Sequence, residues 1–467
     1  MLFSSYEFLF AFLPVVLVGW WSIRPPPARL AFLTASSYFF YAWWDWRFLP
    51  LMLASTTVDY VAGRALVRLD DDEPRRRAVL VAALTANLAM LGYFKYAGFF
   101  VDSLDGIGST LGLGAPFPEL GIVLPIGISF YTFNSMSYTI DIFRREVQPA
   151  RSLLHYAAFV SMFPHLIAGP IVRYSTIDGQ LRKLTPRLTW ELAASGMFFL
   201  SCGLVKKLLL ADTLAPHVDR LFARHDHLGV VTGWTAAVGY ALQLYFDFSG
   251  YSDMAVGLAF LLGFRFPQNF NSPYKSVNVS DFWRRWHMSL SFWLRDYLFI
   301  PLGGSRSGRW LTLRNLVVTM FLGGLWHGAA WTFVVWGLLH GALLIAHNLL
   351  RRAGLTPPWT ALNRSVTFAC VAALFVIFRA PDLHVAGDVL SAMAGLDGLD
   401  SAAAVQALVG VPLALGIAAL LAFVNLAPNT WEVELRPRPV YGLALGGALA
   451  AAVLTIGNPS PFIYFRF

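Results

Sequence analysis

The sequence predicts an all-α, polytopic integral membrane protein of about eleven transmembrane helices, with shorter interfacial or re-entrant helices between them. Three observations carry that prediction. Of 467 residues, 57% are hydrophobic and only 13% charged, with a mean hydropathy of +0.57. A soluble chain of this length needs far more charge to cover its surface, whereas a bilayer itself solvates apolar surface. Apolar runs recur along nearly the whole chain, and the short loops between them hold clusters of basic residues.

Each span needs about 20 mostly apolar residues. The first run, 3–23, has no Lys or Arg ahead of it and no small-residue cleavage site behind it, and Arg24-Pro-Pro-Pro-Ala-Arg29 closes it. A retained span is therefore expected rather than a cleaved signal peptide. Runs at 30–44, 48–68 and 77–97 follow, then 122–142 and 152–170 on either side of Arg144-Arg145. Beyond the polar connection 174–187 come 188–211, 229–247 and 251–264, and beyond 265–281 come 281–301, 311–325 and 329–350. Runs at 363–380, 405–425 and 440–457 complete the series, and the Ala/Gly-rich segment 383–405 reads as a surface helix. Several runs are short or carry charge, so the full spans number fewer than the runs.

The net charge of +8 has a topological reading. Arg75-Arg76-Arg77, Arg144-Arg145, Arg182-Lys183 and Arg351-Arg352 lie in short loops, where basic residues face the cytoplasm and anionic head groups. Arg24 and Arg29 then place the loop after the first span inside and the N-terminus outside. The polar connections, including 67–77, are too short to bury a core, so residues 1–467 read as one membrane-embedded domain. Cys202 and Cys370 match no metal spacing and are too few for a disulfide framework.

Polar groups inside apolar segments are expensive, so each asks for a reason. In Gly323-Gly324-Leu-Trp326-His327-Gly328, a lone imidazole sits among Trp, Gly and Ala. It suits a general base, or a structural histidine bonded to a neighbouring carbonyl. In Asp281-Phe-Trp-Arg-Arg-Trp286-His287-Met-Ser-Leu-Ser, helical spacing puts Trp283, His287 and Ser291 on one face. An interfacial helix explains the tryptophans and arginines there, but not His287. In Tyr245-Phe-Asp247-Phe-Ser249-Gly250-Tyr-Ser-Asp253, two carboxylates flank a Ser-Gly pair that reads as a helix break lining a cavity. Asp247 there suits a structural salt bridge, or the orientation of a histidine. His165, beside Pro164 in an apolar run, suits a cavity wall, while His340 and His347 read as packing or helix-end residues. His155, His217, His225, His227 and His384 fall near polar loops.

No P-loop, His-Glu-x-x-His pair or Gly-x-Ser-x-Gly elbow occurs, and no histidine has an aspartate five positions on. A nucleotide-driven pump, a serine hydrolase and the usual soluble acyltransferase box are all disfavoured. Taken together and in order, several blocks resemble the membrane-bound O-acyltransferase family, in its bacterial branch that acetylates exported polysaccharides, alginate among them. The blocks are Met1-Leu-Phe-Ser-Ser-Tyr-Glu-Phe, Leu124-Pro-Ile-Gly-Ile-Ser-Phe-Tyr, Phe163-Pro-His-Leu-Ile-Ala-Gly-Pro, the Asp247 block and Phe266-Pro-Gln-Asn269-Phe-Asn-Ser-Pro-Tyr. The Trp286-His287 and Trp326-His327 blocks, Phe378-Arg-Ala and Pro461-Phe-Ile-Tyr-Phe465 continue the order. Arg466 stands where the resemblance expects glutamine.

The resemblance implies a helical bundle around a thinned centre with a central funnel or tunnel. It implies that His327 is the catalytic histidine and His287 a second, cooperating one. Asn269, Asp247, Ser249, Trp286, Trp326 and His165 become the expected substrate-binding residues, with no metal and no bound cofactor. Acetyl-CoA is the expected acyl donor, and the acceptor is a polysaccharide reached through an extracytoplasmic acetyltransferase partner. The expected location is the bacterial inner membrane, among lipids, with no role for nucleic acid. A transporter or flippase of a lipid-linked sugar, using the same buried charges as a path, and a scaffold for the transferase stand as alternatives.

Overall fold

The computed structural model describes residues 1–112, 117–118, 120–185, 187–306, 308–434, 439–457 and 462–463. Pro461, Tyr464, Phe465 and Arg466 of the terminal block lie outside the described residues. Every regular element among the described residues is helical. Among the described residues, four helical stretches are long and apolar enough to cross a membrane: Glu73–Thr110, Trp190–Phe222, Trp331–Arg352 and Thr360–Arg379. A fifth exists if Ala402–Leu408 and Gly410–Leu426, bent by 69°, form one span. The chain divides into two compact units, Met1–Leu200 with Ala255–Pro267, and Ser201–Met254 with Gln268–Phe467.

In the first unit, helices α1 (Leu49–Arg68), α2 (Glu73–Leu91) and α3 (Ile128–Phe143) pack together. Nearly every residue of α3 is buried, so this helix is the centre of the unit. Its Thr139 hydroxyl donates to Asp59 of α1 at 2.8 Å, and Asn87 Nδ2 of α2 donates to the same carboxylate at 2.9 and 3.1 Å. One buried carboxylate thereby ties three helices together, because leaving it unbonded would cost several kcal/mol, on the order of the desolvation penalty.

In the second unit, helix α4 (Val230–Leu261, whose residues 230–254 belong here) corrects the expected break at Ser249-Gly250: it runs through both. The glycine serves packing instead of breaking. A Cβ on Gly250 would lie 2.8 Å from the Gly203 carbonyl oxygen, and one on Gly203 would lie 2.5 Å from that of Gly250. Two backbones can approach this closely only where neither residue has a side chain. Beside the crossing, Lys206 Nζ meets Asp253 at 2.6 Å, and Lys207 Nζ meets Asp247 at 2.6 Å and Asp212 at 2.8 Å.

The expected helical run 281–301 is also divided. Val279–Trp283 forms one short helix, α5 (Met288–Leu294) forms another, and His287 between them has φ 42° and ψ 54°. The single face shared by Trp283, His287 and Ser291 therefore does not form. The cause is pairing with the chain at 269–271: Met288 N–H donates to Asn269 O and Asn271 N–H to Arg285 O, each at 2.9 Å. These bonds satisfy backbone groups that a continuous helix would have used internally. Helices α6 (Arg309–His327) and α7 (Trp331–Arg352) then form a tight hairpin. A Cβ on Gly324 would collide with the Phe333 carbonyl oxygen, and one on Gly337 with that of Met320, so both positions exclude any larger residue.

Candidate active site

His327 is the last residue of α6, buried to 4% exposure just before the chain turns into α7. Aromatic rings wall its imidazole. Ring centroids lie at 5.0 Å for Trp326, 5.1 Å for Trp336 of α7 and 5.2 Å for Phe378 of α8 (Thr360–Arg379), all edge-on. The α6–α7 glycine crossing sets this position, since it brings α7 close enough for Trp336 to reach the ring.

His287 is fully buried and held from behind. Its Nδ1 lies 3.1 Å from Asn269 Oδ1. That oxygen also accepts from Ser289 N–H at 3.2 Å and Ser289 Oγ at 2.8 Å, while Asn269 Nδ2 donates to Ser252 Oγ at 3.0 Å. A backbone N–H is always a donor, so the atom it meets must be the amide oxygen, and Nδ1 of His287 must carry the proton. The tautomer assigned by this network leaves a lone pair on Nε2, which has no hydrogen-bond partner among the described residues. Phe248 lies edge-on to the ring at 4.7 Å, and the Trp326 ring is 5.8 Å away. Trp326 thus neighbours both imidazoles.

The sequence pattern of the MBOAT, membrane-bound O-acyltransferase family, matches residues 144–385, a stretch that contains both histidines. The chain is 46% identical over 395 residues to a protein of Azotobacter vinelandii named a probable alginate O-acetylase, covering 84% of this chain and 78% of that one. The chain belongs to the membrane-bound O-acyltransferase family. A Pseudomonas putida protein of the same name is 41% identical with both chains covered in full. A peptidoglycan O-acetyltransferase of Helicobacter pylori is 38% identical, covering 85% of this chain and 81% of that one.

This O-acyltransferase is an integral membrane enzyme, and its other expected site residues fall into distinct places. Asn269 and Trp326 stand in contact with His287. Trp286 is 2% exposed and stacks on Phe282 at 5.5 Å and tilts against Phe375 at 5.1 Å, so its ring belongs to the aromatic packing behind the site. Asp247 is engaged by Lys207 and by Ile463 N–H at 3.0 Å, which makes it half of a buried structural ion pair. Ser249 is buried two residues further along the same helix. His165 belongs to the first unit, where its Nδ1 lies 3.3 Å from Asn134 Nδ2 and its ring meets Phe266 edge-on at 5.3 Å.

His340, read from the sequence as a packing or helix-end residue, does pack, and it does so close to His327. It is fully buried on α7, with Nδ1 accepting from Trp283 Nε1 at 3.3 Å and its ring 4.6 Å from Trp336. His327 and His340 therefore share Trp336 as a wall. The available signal was the spacing of Trp336 and His340 by four, which puts both on one helical face. Ser252 and Ser289, which complete the Asn269 network, carried no such signal.

Proposed function

We propose that this enzyme takes an acetyl group from cytosolic acetyl-CoA and passes it through the membrane for O-acetylation of an exported polysaccharide, by way of an extracytoplasmic partner transferase. The observation that carries the reading is the pair of buried imidazoles sharing Trp326, one with its tautomer set by Asn269. Whole-length similarity to a relative named for alginate O-acetylation supports treating 1–467 as one acyltransferase domain, crossing the inner membrane about eleven times.

Acetyl-CoA is too large and charged to cross a bilayer, whereas the polymer is modified outside. Passing only the two-carbon fragment through a narrow waist meets both conditions. His327 takes the proton of the attacking hydroxyl, a serine of the partner, as the hydroxyl oxygen bonds to the thioester carbonyl carbon. The C–S bond then breaks and the CoA thiolate leaves with that proton. A route with transient acylation of His327 gives the same products. His287, its ring held by Asn269, suits orienting the thioester beside His327. In its neutral tautomer Nε2 has no proton to offer an oxyanion, so oxyanion stabilisation falls to other donors. The polymer is a polysaccharide of the cell envelope or exterior, with alginate and peptidoglycan as the first acceptors to try.

The paired state of Asp247 and Asp253 favours acyl transfer over transport of a lipid-linked sugar, because both carboxylates already hold lysine partners. The test is transfer of radiolabelled acetyl from acetyl-CoA by purified protein with its partner. His327→Ala is expected to lose about 10²- to 10⁴-fold in rate while remaining folded and inserted. Undiminished transfer in that variant refutes the assignment, and movement of a lipid-linked sugar without acetyl-CoA would establish the transporter instead.

A further inference from the structure

Two connecting segments of the second unit meet away from the histidine pocket. The 3-10 turn His225–His227 precedes α4, and helix α9 spans Leu383–Met393. His384 and Asp388 are one turn apart on α9 and so share a face. Asp388 Oδ2 lies 2.6 Å from His225 Nδ1 and 3.2 Å from His384 Nδ1. The two imidazole rings stand 6.0 Å apart and nearly perpendicular, at 88°. All three ligand atoms lie within 4.8 Å of one another, with His384 exposed and the other two half-buried.

We infer that His225, His384 and Asp388 form a binding site for a zinc-class divalent cation that clasps these two segments. Tetrahedral zinc holds nitrogen and oxygen ligands at about 2.0 Å, which spaces the ligand atoms about 3.3 Å apart. The His384–Asp388 separation already fits, and the His225–Asp388 contact has to open by a few tenths of an ångström, roughly a small side-chain rotation. Two imidazoles with one carboxylate select zinc, copper or nickel over calcium and magnesium, which demand oxygen ligands. A simple ion pair needs one imidazole on the carboxylate; here two aim the same nitrogen at the same oxygen. The frame around them is fixed independently. Arg379 pairs with Asp219, Trp234 Nε1 donates to Met393 O at 3.1 Å, and Asp400 accepts from Val231 N–H at 2.7 Å. Ligands on a scaffold held in this way are preorganised for a metal. The exposed His384 edge supplies the entry path.

Full-length protein, purified in detergent through a histidine-free tag and stripped with chelator, is titrated with zinc(II) alone by calorimetry. Bound metal is counted after gel filtration. One zinc per chain and a Tm that rises with free zinc are expected. His384→Ala, whose side chain is 80% exposed, is expected to keep the metal-free Tm and weaken zinc binding at least about tenfold, and Asp388→Asn likewise. Absence of saturable uptake, or equal uptake by His384→Ala, overturns the site and leaves an ion pair. Uptake lost in His327→Ala but kept in His384→Ala overturns it too, by moving the metal to the active site.

Discussion

Asn269 does two jobs that no other residue near His287 can share. Its backbone carbonyl receives Met288 N–H and its side-chain oxygen receives the imidazole. Removing the amide frees the ring to rotate or change tautomer, an effect that for the hydrogen-bond partners of metal-bound histidines costs roughly 10- to 100-fold. Asn269→Ala is therefore expected to lower kcat by about that factor with little change in KM for the acyl donor. Asn269→Asp keeps an oxygen facing Nδ1 and is expected to retain more activity than the alanine variant. Equal kcat losses in the two would reduce Asn269 to a packing role. The left-handed backbone at His287 belongs to the same scale, since non-glycine residues adopt it at a cost of about 1–2 kcal/mol. That cost is met by the bonds that hold the corner.

Elements are placed here by close backbone crossings and by caps. The α6–α7 hairpin depends on Gly324 and Gly337 lacking side chains, and through it the walls of His327 depend on them as well. Gly324→Val is expected to lower thermal stability by about 1–3 kcal/mol or more and to lower activity with it, read as Tm in detergent beside acetyl transfer. The start of α4 is capped from a distance. Burial works to raise the Asp400 carboxyl, but hydrogen bonds from the Thr232 hydroxyl and from the N–H groups of Thr232, Val231 and Gly229 outweigh it and hold the group below its ordinary range. A depressed carboxyl stabilises the fold above its unfolded value of about 3.9, and the contribution disappears as pH falls through the folded value. Stability from this cap is thus expected to be flat from neutral pH to about 5 and to fall in acid. Asp400→Ala is expected to cost about 1 kcal/mol at neutral pH and to flatten that acid limb in a Tm–pH series.

For the molecule as a whole, the buried charges distinguish a chemical site from a transport path. Half-buried Lys206 bonds the buried Asp253 and Thr430, at 2.6 and 2.7 Å, in the second unit. Breaking one side of such a pair leaves an uncompensated charge, at a cost of about 3–5 kcal/mol, while replacing both sides costs far less. Lys206→Met and Asp253→Leu are each expected to destabilise strongly, and the double variant to recover most of the lost Tm. A double variant that is stable yet inactive in acetyl transfer would instead give the pair a part in substrate passage.

Composition and hydropathy sufficed for the membrane class and the helical architecture, because both depend on what a segment is made of and how long it is. Residue order also carried the family, and with it attention to His287 and His327, since chemistry-bearing residues stand out against an apolar background. Only the tertiary structure decided that α4 is continuous through Ser249-Gly250, that 281–301 is broken at His287, and that His340 shares a wall with His327. Those outcomes rest on bonds and contacts between positions far apart in the chain, such as Asn269 with Met288 and Gly203 with Gly250. A local window of sequence weighs each segment against solvent or lipid and cannot register a partner that folding alone brings near.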